Sequence, residues 1–356
     1  MRWHTVCRLI LAIGLLSVVG LVGASPAQAC ACGGFVAGDG ARVGASGEYA
    51  VLTQDGATEQ VLLSMDTLAN TADAALLIPT PTRAEARLAE ATVFPELDRL
   101  IAPAEVVEYR WWPRWNRGNL AGAPQAAAGA PPVSVLETKR LGNLEVTTLA
   151  ADDAKALASW LGAHGYVMRK GLAAALRPYV ADGWFYTAIR LTTPSQDLSG
   201  ALQPIELRFA SDQLVYPMRL SAAAETPQFV RTFVFADHQL QRSDPTARKG
   251  DVRLRFAGRI DPGAVTGSSL GAIVRRHPYL TVIDQNLYDP GRQVVSDFTF
   301  EQAPTDTAYR PTTYVVRTRT ILGVAAGPVL LVVAVLVVNV VVAAALIWHR
   351  RRSDAV

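Results

Sequence analysis

The sequence predicts an α+β fold: a mostly antiparallel β domain with two or three short helices, followed by one C-terminal transmembrane helix. Several segments alternate apolar and polar residues with a period of two, which is typical of strands that bury one face. Few segments show helical periodicity, and many strands with few helices indicate an α+β domain. Residues 321–348 carry no charged side chain, and this run exceeds the roughly 20 apolar residues that a helix needs to cross a bilayer.

The amino terminus has the three parts of a secretory signal peptide. Arg2 and Arg8 give it a positive start, residues 9–22 are apolar, and residues 27–29 form a small-x-small cleavage site. We therefore expect residues 1–29 to be removed.

The segment after the apolar run predicts the orientation of the chain. Residues 349–356 begin with one histidine and three arginines, and such a basic cluster stays on the cytoplasmic side. Residues 30–304 are then an extracytoplasmic domain, which a polar stalk at residues 305–320 joins to the helix at residues 321–348. We expect a single-pass protein of the cell membrane with its domain in the cell envelope.

The charge of the exported part argues against one class of partner. Without the signal peptide and the tail it has 29 basic and 30 acidic residues, whereas a nucleic-acid-binding domain has a strongly basic face. We expect no nucleic-acid partner.

Two cysteines remain after removal of the signal peptide, Cys30 and Cys32. Outside the cytoplasm they are candidates for a disulfide within or between chains, although a bond within one chain closes a small, strained ring. Lipidation of Cys30 is a second interpretation, which Ala27 disfavours because lipidated signals usually carry a larger apolar residue there. Metal binding is a third, but two ligands without a nearby histidine do not make a site.

Alternation and turn residues predict the strands of the domain. An Asp55-Gly56 turn predicts a hairpin between the first two strands. The predicted strands are 48–53, 59–65, 74–78, 144–149, 184–191, 205–209, 214–220, 229–235, 252–256, 279–283 and 294–300.

Proline and glycine mark the boundaries of the predicted helices. A short helix starts at Pro95, a second begins at Asp152-Asp153 and stops at Gly165, and a third covers residues 170–176 and ends at Pro178. Residues 116–132 are rich in Ala, Gly and Pro, which predicts a linker and a possible boundary between two lobes.

A cluster of aromatic residues precedes this linker. Trp111, Trp112 and Trp115 lie beside two arginines and a proline, so they are candidates for stacking on sugars or for lying at a membrane surface. The alternative is that the indoles cover the edge of the core beneath a loop.

Four separated motifs carry a resemblance to a known family. They are Ala-Cys-Ala-Cys-Gly-Gly-Phe at residues 29–35, Ala-Leu-Leu-Ile-Pro-Thr-Pro at 75–81, the segment 152–166, and Leu-Val-Tyr-Pro-Met-Arg-Leu-Ser at 214–221. In these the chain resembles exported bacterial proteins, common in actinobacteria, of the domain-of-unknown-function family numbered twenty-three thirty. The resemblance implies an envelope location and a mature start that contains cysteine. It implies no activity and no functional residues.

A search for catalytic motifs yields weak candidates only. His238 beside Asp237, and His277 before Pro278, are the candidate bases or ligands, while His164 falls on the apolar face of a predicted helix. We find no known hydrolase or zinc-protease motif. The sequence therefore predicts no metal and no cofactor.

The apolar run carries two features that favour association of helices. Gly323 and Gly327 have the spacing of a small-xxx-small motif, and Asn339 lies near mid-membrane, where its amide gains from a partner. We expect weak homo-oligomerisation through the helix.

These observations favour a non-enzymatic module for binding or envelope assembly, with a protein or an envelope polymer as partner. The alternative is an envelope hydrolase or transferase that uses His238 or His277.

Overall fold

The computed structural model describes residues 33–112, 145–150 and 154–353. Several predictions fall outside these residues: the signal peptide, Cys30, Cys32, Trp115 and the linker at 116–132.

The elements follow one another along the described chain. The strands are β1 (Gly34–Val36), β2 (Val43–Asp55), β3 (Thr58–Ala69), β4 (Asp73–Thr80), β5 (Glu85–Leu88), β6 (Ala104–Arg110), β7 (Glu145–Ala150), β8 (Phe185–Thr192), β9 (Gly200–Ala201), β10 (Ile205–Ala210), β11 (Val215–Tyr216), β12 (Gln228–Ala236), β13 (Leu240–Arg242), β14 (Asp251–Arg259), β15 (Tyr279–Leu287), β16 (Phe298–Gln302), β17 (Thr312–Thr318), β18 (Thr320–Ile321) and β19 (Val324–Ala325). The α-helices are α1 (Val93–Leu100), α2 (Ala154–Ala163), α3 (Lys170–Ala181), α4 (Ser268–Arg276), α5 (Pro290–Gln293) and α6 (Ala326–Ser353).

A large sheet with strand order β14-β15-β12-β2-β3-β10-β5 forms the centre of the domain, and β9 pairs with β3 beside it. Its neighbours are antiparallel except for the parallel pair β12 and β2. The predicted hairpin is present as β2 and β3, but its two-residue loop is Gly56-Ala57, one position later than predicted. Gly56 takes a φ of 57°, which a hairpin turn needs and glycine accepts without steric cost. The α+β class is confirmed.

A second sheet, β1-β4-β8-β7, packs against one face of the large sheet. Leu52, Leu63 and Leu207 of the large sheet and Leu76 and Ile189 of the smaller one are at most 1% exposed in this shared core. Burial of this kind contributes about 1.5–3 kcal/mol per large apolar side chain.

Helices cover the two outer faces. On the large sheet, α1 and α4 bury an apolar cluster in which the rings of Phe94 and Phe233 meet edge to face at 6.0 Å. On the smaller sheet, α2 and α3 bury Trp160 and Leu176 against Leu77. The domain therefore has four layers in the order helix, sheet, sheet, helix.

Helix α3 continues past Pro178, where the sequence predicts its end. Proline lacks an amide hydrogen and disfavours a helix interior. Here it lies in the last turn, and the next residue, Tyr179, is 0% exposed and donates a hydrogen bond of 2.5 Å to Asp297. Tertiary packing of Tyr179 thus outweighs the local preference.

The predicted alternation along β14 is broken by a bulge. The register shifts between Leu254 and Phe256, so Arg255 has no partner in the neighbouring strand. A bulge moves later side chains to the opposite face. Leu254 is consequently 38% exposed although the pattern predicts its burial.

Two predicted strands are shorter than expected. The segment 214–220 pairs only at Val215–Tyr216, because Pro217 cannot donate to a ladder and a 3₁₀ helix starts at Arg219. The segment 294–300 contains strand structure only from Phe298, after the short helix α5.

The C-terminal helix α6 contains the stretch Ala326–His349, 24 residues that are long and apolar enough to cross a membrane. The predicted start at residue 321 is five residues too early, because β18 and β19 form a small hairpin there. Within the predicted stalk, β17 pairs in parallel with β6. These two strands are called the parallel ribbon below.

A buried charge cluster lies beneath α1. Arg231 has a side chain 3% exposed and bonds Asp284 through Nε at 2.6 Å and Nη2 at 2.8 Å. Asp98 lies 3.7 Å from the same guanidinium, and its Oδ2 is buried without a hydrogen-bond partner. Burial raises the pKa of Asp98 to about 6, against the opposing effect of Arg231.

We predict that Asp98→Asn stabilises the domain at neutral pH. Asp98 has a folded pKa above its ordinary value of 3.8, so the folded state holds a proton that the unfolded state releases. The free energy of unfolding of the natural chain should therefore fall as the pH rises from about 4 to about 6, and remain lower above that window. The variant should lack this loss and gain about 1–3 kcal/mol at pH 7.

Urea unfolding of the purified full-length chain across this pH range measures the effect. The control, Asp284→Asn, leaves Arg231 without its bidentate partner and should destabilise by about 3–5 kcal/mol. An unchanged pH dependence in Asp98→Asn would contradict the prediction.

Candidate functional site

A polar pocket of about 400 Å³ opens beside α4 on the helix-covered face of the large sheet. It is called the arginine pocket here, after the side chains that dominate its wall. The residues on which its chemistry depends are Thr53, Gln60, Arg87, Glu206, Arg208, Arg276 and His277.

The pocket forms where this face of the sheet changes from apolar to polar side chains along its strands. Val51 pairs with Leu62, and both lie in the apolar cluster that α1 and α4 cover. Two residues along, on the same face, Thr53 pairs with Gln60. The apolar part of the face is buried by helices, and the polar part is left open.

Glu206 lies at the centre of the polar part. Its side chain is 3% exposed and accepts hydrogen bonds from Arg87 at 3.0 and 2.8 Å, Arg208 at 2.5 Å and Gln60 at 3.0 Å. The alternation along β10 predicts Glu206 on a wet face. It is instead buried, because two guanidinium groups cover its carboxylate.

The arginines themselves remain open to solvent. Arg87 and Arg208 have side chains 64% and 48% exposed, and together they exceed the charge of Glu206 by one. Arg276 at the rim is paired with Asp55. A guanidinium has five N–H donors in a planar fork that matches carboxylate and phosphate oxygens. Glu206 therefore orients two such forks beside a cavity.

His277 forms another part of the wall. Its Nδ1 lies 3.2 Å from Asp237 Oδ1, while its Nε2 is buried and has no hydrogen-bond partner. The Oγ1 atom of Thr53 is also buried without a partner. Buried polar atoms are rarely left unpaired, and an ordered water is one partner that would satisfy atoms such as these.

The candidate catalytic residues have other partners in the structure than their order in the sequence predicts. Asp237 meets His277 rather than its neighbour His238, whose Nδ1 lies 2.8 Å from Asp306 Oδ2 on the exposed surface. Ser268 and Ser269, which also line the pocket, lie at the other end of α4, roughly 12–13 Å from His277 along the helix axis. A nucleophilic side chain and its general base must lie about 3 Å apart, within hydrogen-bond distance. Neither serine therefore forms such a pair with His277.

Within the described ranges, no three His, Cys, Asp or Glu side chains come close enough to hold a metal ion. His164, at the end of α2, has both ring nitrogens in contact with acceptors, the Trp160 carbonyl at 2.8 Å and Glu145 at 2.9 Å.

The other candidates lie near α6. Trp111 and Trp112 follow β6 and are exposed, and Gly327 packs directly against Trp112. Gly323 lies in the turn between β18 and β19, ahead of the helix, so it does not share a helical face with Gly327. Asn339 donates from Nδ2 to the Val335 carbonyl of its own helix at 2.7 Å. Self-association of the helix stays a prediction.

We predict that neutral His277 carries its proton on Nδ1. The neighbouring Asp237 carboxylate accepts from this nitrogen, and the bond made by one ring nitrogen fixes the tautomer. Long-range ¹H–¹⁵N NMR at a pH where the ring is neutral should show Nε2 without a proton. Asp237→Ala should move the proton to Nε2, while Asp306→Ala, which affects only His238, should leave the His277 signals unchanged.

Comparisons with known proteins identify the family of the chain. Among curated proteins none matches it. Among solved structures, baculovirus P35 is similar with a TM-score of 0.33 at 9% identity, covering 76% of this chain and 96% of that one. A mutated baculovirus P35 after caspase cleavage gives a TM-score of 0.31 at 11% identity, covering 71% of this chain and 99% of that one. Neither similarity is close enough to indicate a shared fold or function.

Residues 26–301 match DUF2330, the family described as an uncharacterised protein conserved in bacteria. The match covers more than three quarters of the 356 residues and confirms the resemblance carried by the four sequence motifs. The chain belongs to this bacterial family.

Proposed function

We propose that this protein is a membrane-anchored extracytoplasmic module that binds an anionic group of its partner in the arginine pocket. The observation that carries the proposal is the arrangement of Arg87 and Arg208 around the buried carboxylate of Glu206. Donors that are already held in place lose little conformational freedom when an anion binds. The partner is a carboxylate- or phosphate-bearing protein or envelope polymer.

The location in the envelope rests on both ends of the chain. The apolar part of α6 is followed by three arginines that favour a cytoplasmic tail, and residues 1–29 have the pattern of a signal peptide. The arginine pocket then faces the outside of the cell, where anionic polymers and proteins are accessible to it.

An envelope hydrolase or transferase is the second candidate. Two observations favour it: His277 contacts Asp237 through Nδ1, and its Nε2 has no partner. A histidine that a carboxylate orients in this way resembles a general base. The binding function is the better supported, because the pocket holds ordered cations and the two serines at the start of α4 are out of reach of His277.

We predict that Arg87→Gln weakens anion binding by roughly tenfold or more, since hydrogen bonds to charged groups contribute about 1.5–3 kcal/mol each. Arg87 is largely exposed, and Glu206 keeps Arg208 and Gln60, so the fold should be retained. Calorimetric titration of the full-length chain in detergent with inorganic phosphate and with poly-L-glutamate measures the affinity.

The matched control is Arg292→Gln, which removes the same charge from a side chain that is 87% exposed and outside the pocket. Equal effects of the two substitutions, or no binding of either probe to the natural chain, would overturn the proposal. Turnover of p-nitrophenyl acetate or p-nitrophenyl phosphate that disappears in His277→Asn would favour the enzyme instead.

A further inference from the structure

Exposed indoles lie beside the first turn of α6. Trp111 and Trp112 are 46% and 53% exposed. The Gly327 amide donates to the Trp111 carbonyl at 2.7 Å, and a Cβ on Gly327 would lie only 2.7 Å from the Trp112 ring. Gly327 is the second residue of the apolar stretch Ala326–His349. The two indoles therefore lie at the level where this stretch begins, although they come from a segment more than 200 residues earlier.

The tip of a small hairpin directly precedes α6 in the chain. Leu322 and Gly323 form the turn between β18 and β19, with φ of 52° and 79°. Leu322 is fully exposed, and its neighbours Ile321 and Val324 are 37% and 54% exposed. A leucine in the left-handed region is unusual, and a cluster of exposed apolar side chains marks an interaction surface.

The charges of the parallel ribbon are arranged along its length. Arg110 pairs with Thr318 at the end near α6, and Arg317 and Arg319 lie beside this pair. Glu108 lies two residues before Arg110 and Glu105 lies near the opposite end, so the arginines outnumber the acidic residues at the end near α6. The Arg319 guanidinium stacks over Trp111 at 4.9 Å and over Tyr109 at 5.3 Å. The end nearest the apolar helix is thus aromatic and basic.

We propose that this end of the parallel ribbon, with the Leu322 hairpin tip, is a lipid-binding surface that lies in the headgroup zone of the outer leaflet. Indole rings prefer this zone, arginines next to it attract anionic lipids, and the apolar tip enters the acyl boundary. The inference rests on the proposed function, because it needs α6 to cross the membrane. It adds a second membrane contact, made by a segment distant in sequence from the helix.

Photocrosslinking in vesicles tests the surface. The full-length chain is reconstituted in equimolar phosphatidylethanolamine and phosphatidylglycerol, with p-benzoyl-phenylalanine in place of Trp111, Leu322 or, as control, Tyr288. Tyr288 is 66% exposed and lies in the four-layer domain. We expect lipid adducts, seen as mass shifts, at positions 111 and 322 and none at 288.

Carbonate extraction of the same vesicles separates failure of the inference from failure of the anchor. Protein that resists extraction but forms no lipid adduct at 111 would overturn the lipid surface and leave the anchor intact. Adducts at 111 to a second protein chain would likewise overturn it. Extraction of the protein would overturn the anchor itself.

A substitution at the contact between ribbon and helix provides a second test. Gly327→Leu places side-chain atoms where the Trp111 carbonyl and Trp112 ring now lie, so it should displace the ribbon from the helix. We expect the adduct at position 111 to be lost while the adduct at 322 persists. The control Ala334→Leu, at an exposed position within the apolar stretch, should change neither. Retention of the adduct at 111 in Gly327→Leu would overturn the placement of the indoles at the lipid surface by this contact.

Discussion

The whole domain depends on burial of the large sheet on both faces. In β2, the consecutive residues Ala50, Val51 and Leu52 are each 0% exposed. Because neighbouring side chains on a strand point to opposite faces, one of them packs under helices and the next against the second sheet. One helix layer and the second sheet therefore exclude water from the two faces of this hairpin, and the outer helices α2 and α3 in turn cover the second sheet. Antiparallel sheets more often leave one face wet.

Local signals made much of the fold predictable from the sequence. The hairpin at Gly56, the helix that stops at Gly165 and the apolar run before the arginines each depend on residues close in the chain. Pairing between distant segments was not predictable in this way. Strands β6 and β17 pair although more than 200 residues separate them, and their short, exposed segments carry no strong alternation.

The contacts in the arginine pocket were likewise not predictable from the sequence, because they join side chains of distant segments. The alternation along β10 predicts that Glu206 lies on the other face of the strand from the apolar residues and is exposed to solvent. The predicted face is correct, but Glu206 is buried. Its burial depends on Arg87, which reaches it because β5 pairs with β10. His277 was a candidate from the sequence, but its partner Asp237 comes from the neighbouring strand end rather than from an adjacent residue. Of the residues in the pocket wall, His277 was singled out from the sequence, whereas Glu206 and Arg208 showed only the alternation of a strand.

Helix α1 is hydrogen-bonded both to the segment that precedes β17 and to the segment that precedes α4. At its C-terminal end, Arg310, which precedes β17, donates to the carbonyls of Ala102 and Leu100 at 2.8 and 3.2 Å. Near its start, the buried Glu96 accepts from the amides of Thr266 and Gly267 at 2.5 and 3.1 Å, directly before α4. Burial opposes ionisation of Glu96, but these hydrogen bonds prevail and lower its pKa. These hydrogen bonds hold α1 between the start of the parallel ribbon and the start of α4, the helix that lines the arginine pocket.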